Sequence, residues 1–280
     1  MTRSVVVGVD GSRESFEAAR FGATLAALRR VPLRLLHGYI HPLGYGSLSF
    51  SAYAPAVPDP RADADAMLAQ AVERLRAEHP SVEVSAAQVA AGGAAALVEA
   101  SRDAVAVVVG HRGLGGFTEL VLGSVGAQVA GHASGPVVIV RPRTAQRADA
   151  PVVVGVDGSP ACEPALEFAF EEAAGRALPL LAIYAAAEPT QDAAAYTESL
   201  LSSTVAPWAA KHPEVQFRLQ VRPGTDPEQV LVDASRDAAL VVVGSRGRGG
   251  FSGLLLGSVS QALVHHAESP VAVVHPPAGA

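Results

Sequence analysis

The sequence predicts an α/β protein built from two tandem domains, each with a doubly wound parallel sheet. The chain repeats itself, because Val5–Ser12 (VVVGVDGS) returns unchanged as Val152–Ser159, displaced by 147 positions. In each half, five short apolar runs alternate with longer alanine-rich amphipathic stretches. Runs such as VVVGV and VAVVV are apolar on both faces, which is typical of parallel strands buried between two layers of helices.

The repeat continues to the end of each half. Residues 100–104 (ASRDA) return at 234–238, displaced by 134 positions, and the segment 110–125 returns at 244–259 with eleven of sixteen positions identical. The change of displacement from 147 to 134 indicates that the second half is shorter. Because the period is too long for a solenoid, we interpret the chain as a duplicated globular domain.

The length of 280 residues agrees with two domains of the usual size, since one domain takes about 150 residues. A short polar stretch, residues 141–150, precedes the second copy of the first strand. We therefore predict one domain at residues 1–145 and another at residues 150–280.

Strands and helices are predicted from the apolar pattern. The strands cover residues 4–9, 33–39, 82–89, 105–109, 136–140, 152–156, 178–184, 215–221, 239–243 and 270–274. Helical patterns lie between them, for example at 12–29, 63–78 and 124–133, and the sequence Thr225–Glu228 (TDPE) predicts a capping box with an early proline. This alternation implies right-handed crossovers. The spacing alone does not give the order of the strands.

Composition and charge exclude several classes of protein. Hydrophobic residues make up 49% of the chain, which excludes disorder, and the net charge of −6 argues against binding to nucleic acid. Lys211, the only lysine, is far from any glycine-rich turn, so P-loop ATPases and protein kinases are excluded. The sequence has no apolar stretch of about 18 residues and no signal-peptide pattern, so we predict a cytoplasmic protein that does not bind membranes.

A glycine motif of the form G-2x-G-9x-G-S follows the fourth strand of each half, at residues 110–124 and 244–258. A glycine at a strand end lets the backbone approach a ligand, because no Cβ stands in the way. A Gly-Ser pair that opens a helix offers N–H groups, a hydroxyl and the positive end of the helix dipole to an anion. Arg112 and Arg246 lie inside the motif, where a guanidinium can bridge phosphate oxygens.

An aspartate follows the first strand of each half, Asp10 and Asp157. In a doubly wound sheet the ligand crevice opens at the carboxyl ends of strands where the strand order reverses. If strands one and four are neighbours there, Asp10 and Gly110 face one crevice, and the acid suits a ribose hydroxyl or a base edge. The alternative is that each aspartate only forms the turn in Asp-Gly-Ser, which is a common turn sequence.

These motifs, together with VGVDGS at the start of each half and Pro136–Val140 (PVVIV) at the end of the first, resemble the universal stress protein family. The resemblance covers nearly the whole chain in two copies and is therefore to the tandem form. It implies Rossmann-like domains, each with a five-stranded parallel sheet of order 3-2-1-4-5. It also implies one ATP in each domain, with or without Mg²⁺.

The resemblance assigns nucleotide contacts position by position. In the first half these fall on Val9, Asp10 and Gly11 near the base and ribose, on Gly38, on Val109, Gly110, Arg112 and Gly113, and on Gly123, Ser124 and Val125 at the phosphates. In the second half they fall on Val156, Asp157, Gly158, Ala185, Val243, Gly244, Arg246, Gly247, Gly257, Ser258 and Val259. The resemblance further implies that the last strands of the two domains pair within the chain as a pseudo-dimer, and it leaves homodimerisation open.

Two classes of function fit these residues. One is an ATP-binding regulator of the stress response, and the other is a slow ATPase on the same site. A sensor of AMP or cyclic AMP is a variant of the first. The motif contains no carboxylate or glutamine to position water except Glu119, which Gly253 replaces in the second half. We therefore predict binding without catalytic residues and without a protein-built metal site.

The two predicted sites differ in their surroundings. The first half has a long loop, residues 40–61, with Tyr45, Phe50 and Tyr53, which can cover adenine, form a partner surface or pack on the sheet edge. The second half lacks this loop and carries Arg248 where the first has Leu114.

Overall fold

The computed structural model describes residues 3–39, 60–114, 122–142, 149–186, 202–223, 226–247 and 255–276. The first half contains β1 (Val5–Gly8), α1 (Arg13–Arg29), β2 (Leu33–Gly38), α2 (Pro60–Glu78), β3 (Val84–Val89), α3 (Gly93–Ala100), β4 (Ala106–Gly110), α4 (Ser124–His132) and β5 (Val137–Val140). The second half contains β6 (Val152–Gly155), α5 (Glu163–Arg176), β7 (Leu180–Ala186), α6 (202–211), β8 (Phe217–Pro223), α7 (Pro227–Ala234), β9 (Leu240–Gly244), α8 (Ser258–His266) and β10 (Val271–Val274). The predicted alternation of strands and helices is confirmed.

The ten strands form one sheet in the order β3-β2-β1-β4-β5-β10-β9-β6-β7-β8. Within each half all pairings are parallel and the order is 3-2-1-4-5, which confirms the fold expected from the resemblance. The halves meet where β5 runs antiparallel to β10, with Val138 opposite Ala272. The carboxyl ends of the strands therefore point in opposite directions in the two halves.

Helices cover both faces of the sheet, and each face has its own hydrophobic core. Val5 and Val7 of β1 are fully buried in the core beneath α1, whereas Val6 is buried in the core on the other face, with Leu97 of α3 and Val129 of α4. The valine-rich runs are therefore strands that are buried on both sides, as their lack of alternation predicts.

The helix starts show which side chains act as caps. Ser12 caps α1 by accepting a hydrogen bond from the Ser15 amide at 3.1 Å. At α7 the cap is Asp226, whose carboxylate accepts from the Glu228 amide at 3.0 Å, with Pro227 at the first helical position. The predicted capping box, with Thr225 as the cap, is thus corrected by one residue, because an aspartate directly before the proline can cap the helix itself.

The predicted domain boundary falls largely on residues 143–148, which lie outside the described residues. The limits 1–145 and 150–280 therefore stay predictions. Among the helices in the described ranges, none combines the length and the apolar character that crossing a bilayer requires.

Candidate functional site

A cleft of about 520 Å³ opens at the carboxyl ends of β1 and β4 in the first half. Strand β1 pairs with β2 on one side and with β4 on the other, so the strand order reverses at this point. A cleft at such a switch point is the usual ligand position in a doubly wound sheet. Its volume lies within the range of about 300–1,000 Å³ for small-molecule sites.

The structure brings nearly all the predicted first-half residues together around this cleft. The predicted residues that line it are Val9, Asp10, Gly38, Val109, Gly110, Arg112, Gly113, Gly123, Ser124 and Val125. Gly11 does not line it and instead forms the turn, since its φ of +89° is one that L side chains rarely adopt.

Sequence reasoning missed a second group of lining residues. These are Gly8, Ser15, Leu36, His37, Gly93, Leu97, Leu114, Leu122 and Gly126. Leu36, Leu97 and Leu122 are core residues whose sequence pattern signals burial only, and a cleft wall cannot be told from a core by periodicity. Gly93 carries a usable signal, because it begins α3 within an Ala-Gly-Gly sequence.

Gly123 leaves space between the start of α4 and the loop after β4. Its backbone is extended, with φ −70° and ψ 150°, which any residue can adopt, so a turn does not require glycine here. A Cβ at Gly123 would point at this loop, 3.5 Å from both the Arg112 Cα and the His111 carbonyl oxygen. A side chain longer than alanine would therefore fill the gap between the loop and the helix.

The amides at the start of α4 face the same gap. The first hydrogen bond of this helix runs from the Ala127 amide to the Gly123 carbonyl, 3.1 Å long. The amides of Ser124, Val125 and Gly126 therefore have no acceptor within the helix, and all three residues line the cleft. Such amides, together with the helix dipole, form a site that suits phosphate.

Asp10 joins the loop after β1 to the loop after β4. Its Oδ1 accepts from the Ser12 amide at 3.0 Å and the Ser12 hydroxyl at 2.6 Å, and its Oδ2 accepts from the Leu114 amide at 3.0 Å. Burial alone would raise the pKa of Asp10, but the hydrogen bonds from Ser12, Leu114 and Ser15 together hold it below its usual value. Asp10 therefore forms the predicted turn, and its Oδ2 keeps one acceptor position toward the cleft.

Two glycines of the motif are required by close packing. A Cβ at Gly113 would lie 2.3 Å from the Asp10 Oδ2, and one at Gly110 would lie 2.9 Å from the Glu14 carbonyl oxygen of α1. Because Gly110 has no side chain, strand β4 can approach α1. The backbone of Gly110 also lines the cleft. Arg112, between these glycines, is exposed.

A histidine beside Arg112 was not predicted. His111 is only 8% exposed, and its Nδ1 has no hydrogen-bond partner among the described residues. Burial lowers the pKa of His111, and the charges of Arg141 and Arg112 lower it further, against smaller opposing effects. The loop after β4 therefore contains Arg112 and a histidine held toward its neutral form, with the charge of Arg141 acting on this histidine.

The second half repeats the same arrangement. Its predicted residues follow the equivalent elements: Val156, Asp157 and Gly158 come after β6, Ala185 lies in β7, Val243 and Gly244 end β9, Arg246 and Gly247 lie in the next loop, and Gly257 precedes Ser258 and Val259 of α8.

Two distances show how closely the second half matches the first. Asp157 accepts from the Ser159 amide at 2.9 Å, as Asp10 does from Ser12. A Cβ at Gly257 would lie 3.5 Å from the Arg246 Cα, the same distance as for the Gly123–Arg112 pair.

The halves differ where β2 and β7 end. A Cβ at Gly38 would lie 2.6 Å from the Gly93 Cα and 2.8 Å from the Ala91 carbonyl oxygen, so β2 and the start of α3 are in close backbone contact. By the displacements of 147 and 134, Ala185 takes the place of Gly38, and Pro227 takes the place of Gly93.

Some predicted features lie outside the described residues. These are Glu119 and Gly253, Arg248, and the loop aromatics Tyr45, Phe50 and Tyr53. Their predicted roles stay predictions. Across the described ranges, there is no group of three or more His, Cys, Asp or Glu side chains placed to hold a metal ion.

Comparison with known proteins gives one family, by sequence and by fold. The universal stress protein family model matches residues 1–141 and again residues 150–275. A universal stress protein of Mycolicibacterium smegmatis is 35% identical over 286 residues, with 97% of each chain covered, and one of Mycobacterium tuberculosis is 37% identical over 292 residues, with 96% of each covered. A universal stress protein from Archaeoglobus fulgidus, 19% identical, has the same fold, with a TM-score of 0.72 over 99% of this chain and 97% of that one. Two matched segments that together cover almost the whole chain show that it belongs to the universal stress protein family.

Proposed function

We propose that this chain is an adenine-nucleotide-binding regulator with one site in each half, and that its principal ligand is ATP. The first site comprises the cleft at β1 and β4, and the second comprises the equivalent residues around Asp157 and Gly257. Nucleotide occupancy biases a conformation or an interface that other proteins read. A cytoplasmic location and a role in the stress response belong to the same proposal.

The geometry of Gly123 and Gly257 is the observation that supports this proposal most directly. Both have ordinary extended backbone angles, and in both a Cβ would enter the space between a helix start and a loop arginine. Glycine is not needed there for the fold, so the space itself requires another explanation. A phosphate group between helix amides and an arginine provides one.

Binding without rapid turnover agrees with the residues around the cleft. Asp10 is the only carboxylate among its described lining residues, and both of its oxygens already accept hydrogen bonds. Because its pKa is lowered, it is a weak general base. Mg²⁺, when it accompanies ATP, keeps several waters and is held largely by phosphates, so it does not need a cage of protein ligands.

The test is to identify and count the nucleotide that the chain carries. The purified protein is denatured, and the released nucleotide is analysed by mass spectrometry, for the unmodified chain and for Gly123→Val, Gly257→Val and the double variant. We expect each single variant to lose about half of the bound ATP and the double variant to lose nearly all of it. The physical reason is that valine fills the gap that phosphate would occupy.

Gly135→Val is the matched control, because a Cβ at Gly135 meets only the Ser101 carbonyl oxygen, at 3.9 Å. Unchanged nucleotide content in the double variant would contradict the site assignment. Release of AMP or cyclic AMP in place of ATP would keep the site and change the ligand. A turnover rate in the enzyme range of about 1–10³ s⁻¹ would replace the regulator by an ATPase.

A further inference from the structure

The helices α4 and α8 each end against the opposite half of the chain. The last carbonyls of a helix have no partner within it and need a donor from elsewhere. The amides that would continue these two helices are taken by serines, since Ser134 donates to Ser101 and Glu268 donates to Ser235, each at 2.9 Å. The carbonyls of Ala130 in α4 and Val264 in α8 are thus available to other donors.

Arg141, which directly follows β5, donates its Nη2 to the Val264 carbonyl oxygen of α8. Arg141 is only 8% exposed, and its Nε has no partner among the described residues. Burial lowers the pKa of Arg141, and the charge of Arg112 lowers it further. The residue before Arg141, Val140, accepts a hydrogen bond at 2.9 Å from the amide of His111 in the loop of the first site. Arg141 therefore connects the loop of the first site to the end of the helix that begins at the second site.

His275, which directly follows β10, makes the reciprocal contact. Its Nε2 lies 2.8 Å from the Ala130 carbonyl oxygen of α4, and because a carbonyl only accepts, this nitrogen donates. Burial lowers the pKa of His275, and among the smaller effects the charge of Arg246 in the second site lowers it as well. The position of His275 is that of Arg141 displaced by 134 residues, so the two contacts are equivalent in the repeat.

A third contact supports this connection. A Cβ at Gly131, in the last turn of α4, would lie 3.3 Å from the Leu255 Cβ. Leu255 stands two positions before Gly257, at the entrance to α8. The end of α4 is therefore packed against the chain segment that leads into the second site.

We propose that Arg141 and His275 are positioning residues that act across the two halves. Arg141 anchors α8, whose N-terminus forms the second site, and His275 anchors α4, whose N-terminus forms the first. Each site thus depends on the other half for the position of its phosphate-binding helix. This inference rests on the proposed function for the nature of the ligand.

Coupling between the two sites follows from these anchors. Phosphate bound at the start of α4 restrains this helix, and the helix end restrains His275, which follows Val274, the residue that accepts from the Ser245 amide of the second site's loop at 2.9 Å. Phosphate bound at the start of α8 restrains Arg141 in the same way, next to the Val140 carbonyl that accepts from the His111 amide. Because binding free energies are linked, each nucleotide changes the affinity of the other site by the same factor. We expect ATP at one site to strengthen ATP binding at the other.

The anchors can be tested first without any nucleotide, by hydrogen exchange on the full chain. We expect Arg141→Met to raise amide exchange along α8 more than along α4, and His275→Leu to do the opposite. Arg102→Met is the matched control, since Arg102 is an exposed arginine just after α3 that pairs with the exposed Glu99 of that helix at 2.7 Å. Equal exchange of α8 in Arg141→Met and in the unmodified chain would overturn the proposal.

The effect on binding is measured with ATP at one site at a time. In a Gly123→Val chain, which keeps only the second site, Arg141→Met is expected to weaken ATP binding about fivefold or more, whereas Arg141→Lys, which keeps a donor, retains most of the affinity. In a Gly257→Val chain, His275→Leu is expected to weaken the first site similarly. Unchanged affinities would overturn the proposal. An unmodified chain that binds no ATP would contradict the proposed function, and the exchange measurement would still decide whether the anchors exist.

Discussion

The first site and the equivalent residues of the second half are alike at one end and differ at the other. At the motif end, Arg112 and Gly123 are matched by Arg246 and Gly257, with equal Cβ distances at the two glycines. At the opposite end, Gly38 touches the backbone of α3 at Gly93, whereas the second half has Ala185 and Pro227 at these positions. A proline has no amide hydrogen, so α7 offers one donor fewer than α3.

Under the proposed function, this difference separates binding of phosphate from selection of the base and ribose. The end that we propose binds an anion is present twice in nearly the same form, so we expect both halves to hold the same chemical group there. The other end lies beside Val9, which the resemblance assigns to the base and ribose, since the His37 Nδ1 is 2.7 Å from the Val9 carbonyl oxygen. This end has different walls in the two halves. We therefore expect the sites to hold phosphate alike and to differ in how they select the base and ribose.

The largest expected effect concerns a buried charge that only one half contains. Leu25 of α1 and Glu172 of α5 occupy equivalent positions, 147 residues apart, and both are 0% exposed. The Glu172 carboxylate accepts from Arg29 at 3.2 Å and from Arg176 at 2.9 Å, so it joins an arginine from each half. Glu172→Leu copies the first half and leaves both arginines without this partner. We expect it to lower the free energy of unfolding by about 3–5 kcal/mol in urea denaturation.

Glu167→Leu is the control for this substitution, because Glu167 also lies on α5 but is exposed, with Lys211 as its partner at 3.4 Å. An exposed pair contributes about 0–1 kcal/mol, so this variant should be nearly as stable as the unmodified chain. Similar losses in the two variants would show that the buried pairs at Glu172 stabilise the fold no more than an exposed pair does.

A smaller change in the free energy of unfolding is expected from exchanging Gly38 and Ala185, which distinguish the two predicted sites. Gly38→Ala introduces a Cβ against backbone atoms of Gly93 and Ala91, which cannot rotate away, so we expect a loss of about 1–3 kcal/mol in the free energy of unfolding. The shift of β2 away from α3 should also weaken binding of ATP and of adenosine at the first site. Calorimetric titration of both ligands into a Gly257→Val chain measures this effect.

The reverse exchange, Ala185→Gly, removes one methyl group and should change stability by only about 0.5–1 kcal/mol. In a Gly123→Val chain, which keeps only the second site, it is expected to leave the affinity for the phosphates of ATP unchanged. If Gly38→Ala bound adenosine as well as the unmodified first site does, the two walls could not account for different selectivity.

The strands and the motif could be predicted from the sequence because their signals are local. The run Val5–Gly8 and its copy Val152–Gly155 are apolar on both faces, and Gly123 marks the start of α4 through its neighbour Ser124. The wall at Leu97 and the anchor at Arg141 could not be predicted in this way. Leu97 has the same pattern as any core leucine, and Arg141 meets Val264 across 123 positions of sequence. Contacts of that range depend on the packing of whole elements.

A further effect, also of modest size, concerns the turn that both halves share. Because the pKa of Asp10 is lowered in the folded chain, its contribution to stability is complete above its ordinary value of 3.8 and is lost as the pH falls through the lowered pKa. We expect Asp10→Asn to cost about 1–2 kcal/mol at pH 7, because the Ser12 and Leu114 amides lose a charged acceptor. This cost should shrink as the pH falls below about 4.

Urea unfolding between pH 3 and pH 7 measures the difference in the free energy of unfolding between the unmodified chain and Asp10→Asn. Asp233→Asn is the control, since Asp233 is an exposed aspartate paired with Arg236 at 2.9 Å. A cost at Asp10 that stays constant down to pH 3 would mean that its carboxylate is not the group that stabilises the loops.

The antiparallel junction of β5 with β10 has a consequence for the synthesis of the chain. All four residues of β5, Val137–Val140, are buried in the finished sheet, but their partner strand begins only at Val271, 134 residues later. At about 5–20 residues per second, the ribosome takes on the order of ten seconds to make that segment. During this time the first half carries an open, apolar sheet edge, which is a template for pairing with another chain. We therefore expect that two nascent chains on one messenger RNA can pair through these edges, and that the spacing of ribosomes influences how much of the product folds as single chains.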